Sequence, residues 1–237
     1  MPLFGLYIDS LYIVLFVVTL VISGAAQMYV KSTFSRWSQV PNSAGLSGLQ
    51  VGERLVNRAT FAGHRGAAAG ISFKIVPGDL ADHFDPRTRE VGLSQEVAAR
   101  PSIASMAVTA HEVGHAQQHA EGTFAMKARS ILVPAVRFSP ILSYGLIIMG
   151  LILNITGLFW LGIAAFALMV VFTLLTLPVE IGASRRALVM LRETGMLARS
   201  EDEAGVRRVL TAAALTYVAA AITAILTLLY YISIARR

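Results

Sequence analysis

The sequence contains no cysteine, which excludes a disulfide framework, a thiolate nucleophile and a cysteine-ligated zinc site. Charge is also scarce: only 14% of the 237 residues are Asp, Glu, Lys or Arg, against a usual share of about 25%. A 55% hydrophobic content leaves far too much apolar surface for a disordered chain. A mean hydropathy of +0.64 argues equally against an ordinary soluble domain. There is no internal repeat and no low-complexity linker. Met1–Ser10 holds no Lys or Arg, only Asp9. The small-residue stretch Ser23–Gln27 therefore lacks the basic leader that a cleaved signal peptide needs, and a retained anchor is expected.

What is present is grease in long runs. Leu6 to Met28 is 23 residues, enough for a hydrocarbon core that takes roughly 20 helical residues. Phe138 to Leu177 has 40 residues without one Lys, Arg, Asp or Glu, too many for one pass. Two helices joined near Asn154–Gly157 fit it. A fourth run, Leu210 to Ile234, is uncharged and follows Ser200-Glu-Asp-Glu203, a pattern for a capping box. Since backbone groups must be satisfied within lipid, each pass should be helical.

The basic residues are unevenly placed. Residues 29–137 hold 12 Lys/Arg and residues 178–209 hold six, together 18 of the 20. With four spans these two segments share one side, which the positive-inside rule makes cytoplasmic, with both termini outside. The pI near 10 is thereby accounted for by topology, and a nucleic-acid partner loses its main support. The expected layout is anchor 1–28, cytoplasmic domain 29–137, transmembrane hairpin 138–177, cytoplasmic helical segment 178–209 and last span 210–237. The lipid bilayer is the implied partner.

Residues 29–137 suffice for a small α+β domain. Ser47-Gly-Leu-Gln50 reads as a capping box for a helix through about Asn57. Ile71–Val76 alternates as a strand does and ends at Pro77-Gly78, and Arg89–Leu93 is a second strand candidate. His64–Gly70 reads as a turn and Asp79–Pro86 as a loop rich in potential ligands. Ser94 can cap a helical turn. Pro101 breaks that turn, and Ser102 starts a helix to about Ala120–Gly122.

Inside that helix lies His111-Glu-Val-Gly-His115. Positions i and i+4 share a face about 6 Å apart along the axis, so both imidazoles can reach one ion. Two neutral imidazoles suit Zn²⁺, which in hydrolases takes three protein ligands and leaves a position for water. Glu112 points about 100° away around the helix, off the ligand face but within reach of that water's proton. Gly114 permits close approach of another segment. The bland reading is a helix with two histidines and a glutamate on a solvated face. Against it, Ile103, Met106, Ala107, Val108 and Ala110 make the helix one that must be buried, where unpaired Glu and His are costly.

His119 continues the i+4 series, yet about 12 Å of helical rise separates it from His111, too far for one ion. A three-His site breaks the helix with glycine at the position where this chain has Gln118. His119 is expected at the helix end or behind a ligand, and Glu121 meets the same distance problem. Glu180, in Leu177-Pro-Val-Glu180, is the better third ligand. It emerges on the side assigned to His111, Pro178 is placed to open a new helical segment, and a carboxylate between Val179 and Ile181 needs a cation. The rival is pairing of Glu180 with Arg185 or Arg186. His83 either steadies a developing oxyanion from the Asp79–Pro86 loop or packs beside turns capped by Asp82 and Asp85.

With these residues in view, the chain resembles the YugP-type family of membrane zinc metallopeptidases over nearly its whole length. The resemblance rests on Asp82-His-Phe-Asp-Pro-Arg-Thr88, Ala110-His-Glu-Val-Gly-His-Ala-Gln-Gln-His-Ala-Glu-Gly122, Leu177-Pro-Val-Glu180 and Ala183-Ser-Arg-Arg-Ala-Leu188. It implies a mainly α, four-transmembrane-helix protein with a zincin-like metallopeptidase domain between spans 1 and 2, and Zn²⁺ as cofactor. The chain is more distantly similar to membrane proteases whose third ligand lies in a Glu-x-x-x-Asp helix, the Asp orienting a ligating histidine. Glu180 matches the Glu, and Ser184 stands where the Asp would, able to accept a hydrogen bond from an imidazole N–H but bringing no charge.

The expected function is a zinc-dependent endopeptidase at the cytoplasmic membrane face. Its ligands would be His111, His115 and Glu180, its general base/acid Glu112, and its substrates peptides or proteins, including membrane proteins. The alternative is a non-proteolytic membrane adaptor or assembly protein whose zinc is closed by a fourth ligand such as His83 or Asp82. A transporter fits less well, because it calls for charges inside the spans.

Overall fold

The computed structural model describes residues 10–61 and 70–236. Leu6–Asp9, Arg237 and the His64–Ala69 part of the expected turn lie outside the described residues. In chain order the elements are α1 (Ser10–Ser38), α2 (Gly48–Phe61), β1 (Ser72–Val76), β2 (His83–Asp85), β3 (Glu90–Ser94), α3 (Gln95–Ala99), α4 (Ile103–Glu121), α5 (Phe124–Ile152), α6 (Thr156–Glu193) and α7 (Ser200–Ala235). The protein is mainly helical with one small sheet. Among the described residues four helices, α1, α5, α6 and α7, are long and apolar enough to cross a membrane.

The chain divides into two compact units, one made of residues 1–28, 131–174 and 216–237, the other of 29–130 and 175–215. In the first unit, Ile147 of α5 and Phe159 and Ile163 of α6 bury together with Leu228, Tyr231 and Ile232 of α7 beside them. Ser143 Oγ of α5 donates to the Gly162 carbonyl of α6 at 2.9 Å, the kind of helix-to-helix hydrogen bond that replaces water in lipid. Gly150 lets the hairpin close, since a Cβ there would stand 2.6 Å from the Phe159 backbone nitrogen. None of the most apolar 18-residue stretch of α1 is buried within the protein. Apolar surface on that scale needs a hydrocarbon neighbour, and the protein is a multi-pass membrane protein.

The second unit has a three-stranded sheet in the order β1-β3-β2, β1 parallel and β2 antiparallel to the central β3. The centre strand is buried through Val91 and Leu93, while the outer strands are half-exposed. The main core joins Trp37 of α1, Val51 and Leu55 of α2, Ile103, Met106, Ala110 and Val113 of α4, Leu191 of α6 and Val206 and Leu210 of α7. The Ser47–Gln50 capping box forms in both directions: Ser47 N donates to Gln50 Oε1 at 2.9 Å and Gln50 N to Ser47 Oγ at 3.4 Å. Its helix continues to Phe61, past the expected end near Asn57. Ser102 Oγ accepts from Ser105 N at 3.1 Å, and Gly122 ends α4 in the left-handed conformation (φ 62°) that glycine adopts without a Cβ penalty.

Four local expectations need correction. First, α6 runs through Pro178 instead of restarting there. Proline removes one intrahelical hydrogen bond, but Val179, Ala183, Ala187 and Leu191 recur every four residues and are all buried, so packing holds the helix beyond it. Second, Arg199, not Ser200, precedes the first turn of α7. The Asp202 carboxylate accepts from Arg199 N at 3.0 Å, while Glu203 pairs with Arg192 and Arg207. Asp202 is fully buried because it also takes the backbone N–H and hydroxyl of Ser43. Third, the Asp79–Pro86 loop contains β2. Fourth, Ser94 precedes α3 but makes no side-chain cap; its hydroxyl donates to Asp82 instead, at 3.1 Å.

Candidate metal centre

Helix α4 presents His111 and His115 one turn apart, their rings edge to face with centroids 4.6 Å apart. The carboxylate of Glu180, from α6, sits between them: Oε2 lies 3.2 Å from His111 Nε2 and 3.4 Å from His115 Nε2. One atom from each of the three residues lies within 4.8 Å of the others, a group that could hold a metal ion. The contact between α4 and α6 depends on Gly114, where a Cβ would meet the Ala183 carbonyl oxygen at 2.6 Å. Gly114→Val should therefore push the helices apart. We expect about 1–3 kcal/mol of destabilisation with loss of metal binding, read from thermal melting and metal analysis in detergent. A variant that melts and binds like the parent would show that the close approach is dispensable.

The donor set fits zinc. Ligands about 2.0–2.1 Å from a tetrahedral zinc stand about 3.3 Å from one another, and the two Nε2–Oε2 separations are 3.2 and 3.4 Å. Both imidazoles are engaged on the opposite nitrogen: His111 Nδ1 lies 3.2 Å from Ser184 Oγ and His115 Nδ1 lies 3.1 Å from Gln118 Oε1. With Nδ1 carrying the proton, each Nε2 lone pair is free for a metal.

Glu112 is buried on the same helix and is not one of the clustered ligands. Burial pushes its carboxyl up to about 7; the neighbouring His111 opposes this, and the charges of Glu180 and Asp82 add to it. A carboxyl balanced near neutral pH suits proton transfer, and a cation in the cluster would draw it down again.

The other candidates are placed apart from the cluster. His119 is exposed at the end of α4 with its ring 5.9 Å from that of Phe84 in β2. Glu121 pairs with Arg186 at 2.5 Å, so that one of the two rival partners of Glu180, Arg185 and Arg186, is engaged there. His83 Nδ1 lies 2.8 Å from the Ala81 carbonyl oxygen. Asp82 accepts from Ser94 N at 2.7 Å, and burial raises its pKa. Asp85 accepts from Arg87 N at 2.9 Å, closing a turn.

Two residues at the site escape a reading of the sequence. Gln118 touches His115 and also donates through Nε2 to the Val179 carbonyl at 2.8 Å. Its spacing of three residues from His115 was the available signal. Arg129, early in α5, brings Nη1 to 3.8 Å from Glu180 Oε1, and no local pattern announces that contact.

A mainly helical chain with four candidate membrane spans and a largely buried His–His–carboxylate cluster defines a class, that of multi-pass membrane proteins with a helix-borne group that could hold a metal ion. The sequence matches, over residues 12–236, the family described as "Putative neutral zinc metallopeptidase", and the chain belongs to it. It is 38% identical over 224 residues, 94% of this chain and 96% of the other, to the "Putative membrane protease YugP" of Bacillus subtilis (strain 168). No solved structure matches the chain.

Proposed function

We propose that the protein is a zinc-dependent endopeptidase that cleaves protein or peptide substrates at the cytoplasmic face of the membrane, with membrane proteins among them. His111, His115 and Glu180 are assigned as the zinc ligands and Glu112 as general base and acid. The observation that carries this is that Glu180 Oε2 stands at tetrahedral-edge distance from Nε2 of both His111 and His115, within a group of three residues that could hold one ion. Zinc in such a site polarises the scissile carbonyl and makes water a nucleophile near neutral pH. Ser184 steadies the His111 ring. The Glu112 carboxylate accepts the proton of the attacking water and hands it to the leaving amine. The test is to purify the protein in detergent, count bound zinc, and compare proteome cleavage products with those of a Glu112→Gln control. One zinc per chain and cleavages absent from the control are expected; identical product sets would refute the proteolytic reading.

The adaptor alternative needs a fourth protein ligand. Among the described residues the group close enough to hold one ion is His111, His115 and Glu180, without Asp82 or His83, which favours an open coordination position and hence an enzyme.

The layout proposed with this activity has residues 29–137 as a catalytic domain between spans 1 and 2, and residues 178–209 supplying the third ligand from the same side. The absence of cysteine gives a clean labelling background. In intact cells, a membrane-impermeant thiol reagent should label Arg236→Cys and leave the exposed Glu53→Cys untouched until the membrane is opened. The reverse pattern would invert the orientation.

A further inference from the structure

We propose that Gln118 is a positioning residue that fixes His115 as a metal ligand and ties it to the helix carrying the third ligand, with Gly182 keeping the space this requires. The proposal rests on the zinc reading above. Gln118 is almost fully buried, 3% exposed. Its Oε1 lies 3.1 Å from His115 Nδ1, and its Nε2 donates at 2.8 Å to the carbonyl of Val179, the residue before Glu180. A carbonyl can only accept, so the amide nitrogen must face Val179 and the amide oxygen must face His115. The oxygen then accepts an Nδ1–H, which leaves Nε2 of His115 with its lone pair toward Glu180, 3.4 Å away. One side chain thus selects the imidazole tautomer and also locks α4 to α6 beside the ligand that α6 contributes.

Gly182 completes the device. A Cβ at that position would stand 2.5 Å from Gln118 Nε2, so any side chain there displaces the amide. His111 is served differently, by the Ser184 hydroxyl at 3.2 Å. A hydroxyl can donate or accept and so does not dictate a tautomer. The stricter control falls on His115.

The experiment measures zinc affinity of the full-length protein in detergent by competition with a chelator, with 15N-histidine NMR reporting which ring nitrogen of His115 carries the proton. Gln118→Leu and Gly182→Ala should each lower zinc affinity by about 10–100-fold and mix the His115 tautomers. Gln118→Glu keeps an acceptor for Nδ1–H but turns a carboxylate oxygen toward the Val179 carbonyl, so it should restore the His115 tautomer and only part of the affinity. Melting of the zinc-free proteins separates a folding defect from a loss of positioning; if Gln118→Leu does not fold, Gly182→Ala and Gln118→Glu decide. Wild-type binding with unchanged affinity and tautomer in the variants would overturn this proposal alone. A wild-type protein that binds no zinc would overturn the metal reading and this proposal with it.

Discussion

Glu112→Gln should lower peptide-bond hydrolysis by about 10²–10⁴-fold, the usual contribution of a positioned general acid or base, while zinc content stays at one per chain. Glutamine preserves the shape of the side chain and a polar head but cannot accept the water's proton. Glu112 stands outside the group of three residues assigned as ligands, so metal content should not change. Stability should move the other way from activity. Burial raises the Glu112 carboxyl to about 7, which means that the folded state disfavours its ionised form, and a neutral amide removes that penalty. With zinc removed from both, the variant should melt at or above the wild-type temperature at pH 8, where an unfolded glutamate would be fully ionised. Lost activity with lost zinc or lost stability would point to a structural role for Glu112 instead.

Glu180→Ala should have the largest effect on the metal. It removes a ligand outright and leaves two imidazoles, and its cost should exceed the about 10–100-fold lost when only a residue behind a ligand is changed. The cavity and the unopposed Arg129, whose Nη1 is 3.8 Å from the carboxylate, add to the damage. Zinc content after gel filtration against a weak chelator should fall to near zero and activity with it. Glu180→Asp should recover little, because its carboxylate is one methylene short of a position set by the contact of Gly114 with Ala183. Full zinc retention in Glu180→Ala would assign the third ligand elsewhere.

Different parts of this protein are written at different ranges of the chain. The four apolar runs, the Ser47–Gln50 box and the helix from Ser102 are local patterns, readable because a span, a cap or a helix face is specified by residues a few positions apart. β2 is not readable in that way: His83–Asp85 is three residues long and becomes a strand only by pairing with β3. The helix continues through Pro178 because of a buried stripe, Val179 to Leu191, whose burial depends on partners distant in sequence. Arg199 and Asp202 replace Ser200 and Glu203 at the start of α7 for a similar reason, since the Asp202 carboxylate that accepts from Arg199 N is also held by Ser43, distant in sequence. At the site, the two histidines and Glu112 are legible from one helix turn. Glu180 is reachable only by asking what third ligand the chain has to offer, and its place beside the histidines is decided by helix packing at Gly114. Gln118 lies in plain view beside the motif, yet its second hydrogen bond, to Val179, spans 61 residues and cannot be read from a pattern.

The most direct measurement is X-ray absorption at the zinc edge on the purified wild-type protein and on Glu180→Ala. Zinc bound by His111, His115 and Glu180 should show a first shell of nitrogen and oxygen only, at about 2.0–2.1 Å, with multiple scattering from two imidazoles and one exchangeable oxygen position. The Glu180→Ala sample should yield too little bound zinc for the same spectrum. Three or more imidazoles in the shell, or a wild-type spectrum reproduced in the variant, would contradict a centre built on those three residues.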